Sequence, residues 1–268
     1  MIDLHERLSE YSYGFGVTRE VQSLLEGIGL KPTPFLPNLL HEKELGFDVG
    51  FSDRGSVVVL QFKLGHQLKR FHRANPLQTI PELDRPFWRF SIDTLGHQFQ
   101  RLREFEDENA DTFYVAPRFA DWGTYDRVFQ AGQVLDASLL LRPSDIETAV
   151  ATQGGSAGPH RIVYDRTRRY VCSEPTELPE YRPDDLASKI RYRIQYSDMT
   201  LEKSIERIFD REPSSRRISR LSLRRRDQIL SRFEDHRMGM AAAVGAEAWT
   251  QGAQVLFVSL NEEASVAG

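Results

Sequence analysis

The stretch "LGFDVGFSDRGSVVVLQFKLG", residues 45–65, is strongly apolar, yet it carries Asp48, Gln61 and Lys63. Two apolar runs flank the turn-forming "SDRGS", which predicts a hairpin of residues 45–51 and 57–64. The run "VVVLQF" is nearly continuous and β-branched, the pattern of a central strand covered on both faces. Side chains alternate along a strand, so Gln61 and Lys63 share one face and Phe62 takes the other. Pairing through the turn would bring Asp48 toward both. A buried charge is costly unless it is paired or bound to metal. One explanation is an Asp48–Lys63 ion pair at a sheet edge, with the lysine reaching past the strand end. The other is a cation site: Asp48 ligates through oxygen, the Gln61 carbonyl completes the shell, and Lys63 stabilises charge on a phosphate or water. That site needs a second acid. Glu20 is the first candidate, with Glu42 and Glu44 as alternatives.

Upstream, "TREVQSLLEGIGL" has Val21, Leu24, Leu25 and Ile28 at helical spacing, with Thr18 placed to cap and Gly29 to stop it. The prolines of "KPTPFLPN" predict an extended linker. Downstream, "ANPLQTIPELDRPFWRF" reads as a long proline-broken connection of the kind that often carries function. A helix is expected over 92–108, with Leu95, Phe99, Leu102 and Phe105 on its apolar face and His97, Gln98 and Arg101 opposite. "TFYVAPRF" predicts a strand, "TYDRVFQAGQ" a short helix, "VLDASLLLRP" a strand and "SDIETAVAT" a helix. "HRIVYDRTRRYVCSEP" predicts a hairpin, and residues 184–209 a helix broken near Ser197–Thr200. "MGMAAAVGAEAWTQGAQVLFVSL" reads as a helix followed by a short buried strand.

A helix with Glu20, a strand with Asp48, a turn and a strand with Gln61-x-Lys63 together resemble the core of the PD-(D/E)xK nuclease superfamily. Gln61 stands where an acid is usual and Phe47 where proline is usual. The Q-x-K form is similar to nuclease effector domains of bacterial anti-phage defence systems. The resemblance implies an α/β fold: a restriction-endonuclease-like mixed sheet flanked by helices, with a mostly helical C-terminal extension. It implies a nuclease-like core over 1–180 and a helical, arginine-rich region over 181–268. It further implies Mg²⁺ or Mn²⁺ held by Glu20, Asp48 and Gln61, with Lys63 completing the catalytic set, and DNA as the substrate of a metal-dependent endonuclease. A partner subunit of a defence complex and a homo-oligomer are compatible with the same resemblance. The alternative is a catalytically inactive subunit of the same fold that binds nucleic acid or a protein through its basic surface.

Cations follow the predicted hairpin at once: His66, Lys69, Arg70, His72 and Arg73. With Arg101 they are candidates for gripping phosphate. Residues 211–237 hold nine arginines against four acids. If helical, that stretch puts Arg217, Arg220 and Arg224 on one face, suited to nucleic acid or to an acidic partner. The net charge of −4 decides nothing about such a partner. A single cysteine, Cys172, excludes a disulfide framework or a thiolate zinc site and fits a reducing cytoplasm. No signal-peptide core and no membrane-length apolar run is present. "GFG" at 14–16 and "GGSAG" at 154–158 lack the lysine and the strand–helix context of a phosphate-binding loop.

Overall fold

The computed structural model describes residues 8–36, 50–73, 78–152, 154, 156–172, 174–211 and 224–261. It is a mixed α/β chain with two five-stranded sheets. Strand β2 (Gly55–Phe62) is buried at every residue, as its β-branched composition predicts. The first sheet runs β1-β10-β2-β5-β6, where β1 is Leu30–Pro34, β5 Asp111–Pro117, β6 Ser138–Leu141 and β10 Ala253–Leu260.

The order corrects the predicted hairpin. β2 lies between β10 and β5, and its antiparallel partner is β10, with Gln61 opposite Ala253 and Val59 opposite Val255. Residues 45–49 lie outside the described residues. "KPTPF" is not a linker but an edge strand: Pro32 faces Val258 and Pro34 faces Leu256. An edge strand tolerates proline because one side of its backbone needs no donor. Residues 87–90, expected at the end of a long connection, and residues 92–93, expected to open a helix, instead form strand β4 (Phe87–Asp93). β4 belongs to the second sheet, β3-β4-β7-β8-β9, with β3 at His66–Leu68, β7 at Pro159–Tyr164, β8 at Arg169–Cys172 and β9 at Pro175–Glu177. Its pairings β3–β4, β4–β7, β7–β8 and β8–β9 are antiparallel.

Helix α1 (Glu10–Gly27) begins eight residues before Thr18. Ser9 caps it, its hydroxyl accepting from the Ser12 amide at 3.0 Å. Gly14 and Gly16 lie inside the helix because neighbours press on them. A Cβ at Gly14 would sit 2.6 Å from the Phe62 ring, and one at Gly16 would sit 2.9 Å from the Tyr125 hydroxyl. At the other end Gly29, with φ of 80°, turns the chain into β1.

Helix α2 (His97–Asp107) buries Phe99, Leu102 and Phe105 as expected, but Leu95 precedes the helix and is exposed. Helices α3 (Trp122–Gln130) and α4 (Pro143–Thr152) follow. Helices α5 (Pro183–Tyr196) and α6 (Leu201–Asp210) separate at the predicted break, where Thr200 caps α6 by accepting from the Lys203 amide. Helix α7, described over 224–230, precedes α8 (His236–Thr250), whose buried Ala241–Ala243 run leads into β10.

The contacts divide into two compact units, one of residues 1–20, 62–99 and 113–182, the other of residues 21–61, 100–112 and 183–268. The chain passes from the first to the second at Arg182–Pro183, among other places. The units are not consecutive stretches, however. The second also takes residues 21–61 and 100–112, and its C-terminal part contributes strand β10. Among the described residues no helix is long and apolar enough to cross a membrane.

Candidate active site around Lys63

The first unit gathers polar groups where β2 ends. Lys63 follows the last residue of the strand, and its amide donates to the Val115 carbonyl at 3.0 Å, which fixes its backbone. Its ammonium donates to the Gln98 side-chain carbonyl at 2.7 Å. Gln98 lies in the first turn of α2, so strand end and helix start hold the pair from both sides. Burial holds the Lys63 pKa below the ordinary lysine value, and the carboxylate of Glu10 partly offsets that by favouring the charged form.

The position of Glu10 follows from helix geometry. Residues i and i+4 share a face. Gly14 rests against Phe62, and Tyr13 meets the same ring edge-on at 5.9 Å. Glu10, one turn earlier on the Gly14 face, therefore points toward the residue after Phe62. Sequence reasoning missed it because it started the helix at Thr18. The signals that would have found it are the capping Ser9 and the apolar Tyr13, Val17 and Val21 at helical spacing.

Glu20, expected as the helix-borne metal ligand, does other work. Its two oxygens accept from the Val134 and Leu135 amides at 2.9 and 2.7 Å, tying α1 to the turn before β6. The correction is a shift along α1: the helix start, rather than its middle, approaches the end of β2.

Gln61, in the second unit, is buried. Its side-chain amide donates to the Gly252 carbonyl at 3.0 Å, in the turn between α8 and β10. Gly252 has φ of 76°. The glutamine therefore fastens the β10 turn to β2. Asp48, the remaining member of the predicted set, lies outside the described residues. Among the described residues no group of three or more His, Cys, Asp or Glu side chains could hold a metal ion. Near Lys63 they offer one carboxylate, Glu10. A hard divalent cation takes six or more oxygens and needs further anionic ones, so the described residues alone do not make a cation site.

The predicted phosphate grips divide. Lys69, Arg70 and Arg73 are exposed after β3. Arg101 is not available to a polyanion, contrary to its reading as a phosphate grip. It is 1% exposed and bonds Glu104 at 2.7 Å and Glu247 at 3.0 Å, with its guanidinium over the Phe105 ring. Glu247 also bonds Arg226 at 2.8 Å, and Arg226 in turn donates to the Phe209 carbonyl. Burial raises the Glu247 pKa, but Arg101 and Arg226 more than offset this and hold it below the ordinary glutamate range. The partner that buries Arg101 lies far along the chain, so the spacing within α2 could not reveal it. In the arginine-rich stretch, Arg224 is exposed and Arg226 is turned inward, while Arg217 and Arg220 lie outside the described residues. Burial pushes the Cys172 thiol up to about 12, which leaves it an unreactive core residue.

No protein-family model matches the chain, and neither does any curated protein or solved structure.

Proposed function

We propose that the Lys63–Gln98–Glu10 cluster is the reacting centre of a metal-dependent endonuclease that hydrolyses phosphodiester bonds in DNA. The observation that carries this reading is a half-buried lysine with a lowered pKa. It is fixed at the end of the central strand between a helix-borne amide and a helix-borne acid. A lysine facing a phosphate gains from such desolvation, because each charge interaction strengthens as water is excluded.

In this reading the Lys63 ammonium donates to a non-bridging phosphate oxygen and stabilises the charge that grows there during attack. The Gln98 carbonyl holds the ammonium in place. Glu10 would contribute a carboxylate to Mg²⁺ or Mn²⁺, which when bound supplies charge neutralisation and a more acidic water. Lys69, Arg70 and Arg73 would neutralise neighbouring phosphates. A cytoplasmic role in defence or restriction rests on the resemblance of the Gln61-x-Lys63 strand.

A second reading, a nuclease-fold subunit that binds without cutting, is favoured by one observation: Gln61 replaces the expected acid, and its amide is engaged by Gly252. One experiment separates the two. The chain, Lys63→Ala and Glu10→Gln are incubated with plasmid DNA in Mg²⁺, Mn²⁺ or EDTA. Metal-dependent cleavage lost in both variants supports the endonuclease. Salt-sensitive binding with no cleavage in any metal supports the binding subunit.

A further inference from the structure

In the first unit, α1 shows solvent an unusual row. Tyr11 is 76% exposed and Phe15 58% exposed, and Arg19 follows at the same spacing. Residues four apart share a helix face and rise about 6 Å per step, so the row is a ladder of two π faces and a guanidinium. It starts one residue after Glu10. Its far end is braced by α3: Phe129 lies 6.1 Å from Phe15 at 33° and 5.6 Å from Tyr125, and the Arg19 guanidinium sits 5.0 Å over the Phe129 ring. Trp122, 45% exposed, extends the aromatic surface at 5.2 Å from Tyr125.

Large side chains this exposed contribute little to the core, so burial does not explain them. The composition selects the partner. An aliphatic-binding groove would carry Leu, Ile or Met, and the ladder has none. It has flat rings and a cation, with exposed Arg127 two residues before Phe129 on α3. Stacked bases take flat rings, and the phosphates between them take guanidinium groups.

We propose that Tyr11, Phe15 and Arg19 form a stacking track for single-stranded nucleic acid that leads toward Lys63. This rests on the reading of Lys63 as a phosphodiester-facing residue. It adds that the chain engages unpaired bases, and so prefers single strands or frayed ends to intact duplex.

The test uses the full chain and oligo(dT) carrying 2-aminopurine, read by anisotropy and by the quenching that stacking causes. Tyr11→Ala/Phe15→Ala should weaken single-strand binding roughly 30-fold, at about fivefold or more per stacked base, and should abolish the quenching. Duplex binding should change much less. Tyr11→Trp/Phe15→Trp should retain both signals. Circular dichroism and thermal midpoint should match the parent chain, since both side chains are exposed. Unchanged single-strand affinity in the double alanine variant overturns the track, as does a parent chain that binds no oligonucleotide. Loss of self-association in sedimentation, with oligonucleotide binding intact, assigns the row to a second copy and also overturns it. If the parent chain binds and quenches but cleaves nothing with Mg²⁺ or Mn²⁺, the endonuclease reading falls and the track stands. If it cleaves while the alanine variant binds normally, the track falls alone.

Discussion

Replacing Glu247 by glutamine removes a charge shared by two buried guanidinium groups. Arg101 is 1% exposed and Arg226 4%, and the Glu247 side chain is 10% exposed. After the change Arg101 keeps Glu104, and Arg226 keeps the Phe209 carbonyl, but the bridge between them is gone. Removing one member of a buried ion pair costs about 3–5 kcal/mol, because the desolvated partner charge remains. The low end applies here, since each arginine retains one partner. At roughly 2–4 °C per kcal/mol for a chain of this size, a loss of about 3 kcal/mol lowers the thermal midpoint by about 6–12 °C. Urea unfolding followed by circular dichroism measures the loss directly. The pH dependence has a definite sign. Glu247 is held below its unfolded value, so its contribution is present above the ordinary glutamate range. It fades as pH falls through the lower folded-state value. The variant should therefore lose less stability than the parent on acidification. A loss below about 1 kcal/mol, or an unaltered acid limb, would refute the buried network as described.

Lys63→Met should raise the thermal midpoint at neutral pH by relieving the desolvation of the ammonium, by about 1 kcal/mol at most, while abolishing any cleavage. The sign follows because Lys63 is held below its unfolded value: its penalty is full below the folded-state value and is relieved as pH rises from there toward the unfolded one. Scanning calorimetry at pH 7 and above checks both statements. Glu20→Ala should cost about 1 kcal/mol in chemical denaturation through the lost contacts to Val134 and Leu135, yet leave any cleavage unchanged, whereas Glu10→Gln should leave stability nearly unchanged and abolish any cleavage. Thr200→Ala should cost about 1 kcal/mol by uncapping α6, read as a lower urea midpoint at unchanged slope.

The central strand was legible because its signal is local: three consecutive valines and a leucine leave little alternative to a doubly covered strand. Its partner was not, since the pairing of Gln61 with Ala253 leaves no mark on either neighbourhood. Helix α1 was found from its expected cap at Thr18 onward and missed before it, because Gly14 and Gly16 lower helix propensity. Packing against Phe62 and Tyr125 outweighs that cost only once the tertiary neighbours exist. The same mechanism hid Glu10, whose carboxylate acts on Lys63, while Glu20 accepts from the Val134 and Leu135 amides. Lys63 was identifiable as a polar residue at the end of an apolar strand, and Gln98 as a polar face of α2. That the two bond to each other required the coordinates. Arg101 reads as surface in any helical wheel that omits Glu247.

The insertion of β10 between β1 and β2 bears on how the chain is made. Until residues 253–260 have been synthesised, one hydrogen-bonding edge of the fully buried β2 lacks its native partner. Such an edge invites pairing with any other extended segment, and contacts this distant in sequence form slowly. A nascent chain paused before β10 is therefore the aggregation-prone species. Chaperone dependence during translation should accordingly drop sharply once that strand clears the ribosome.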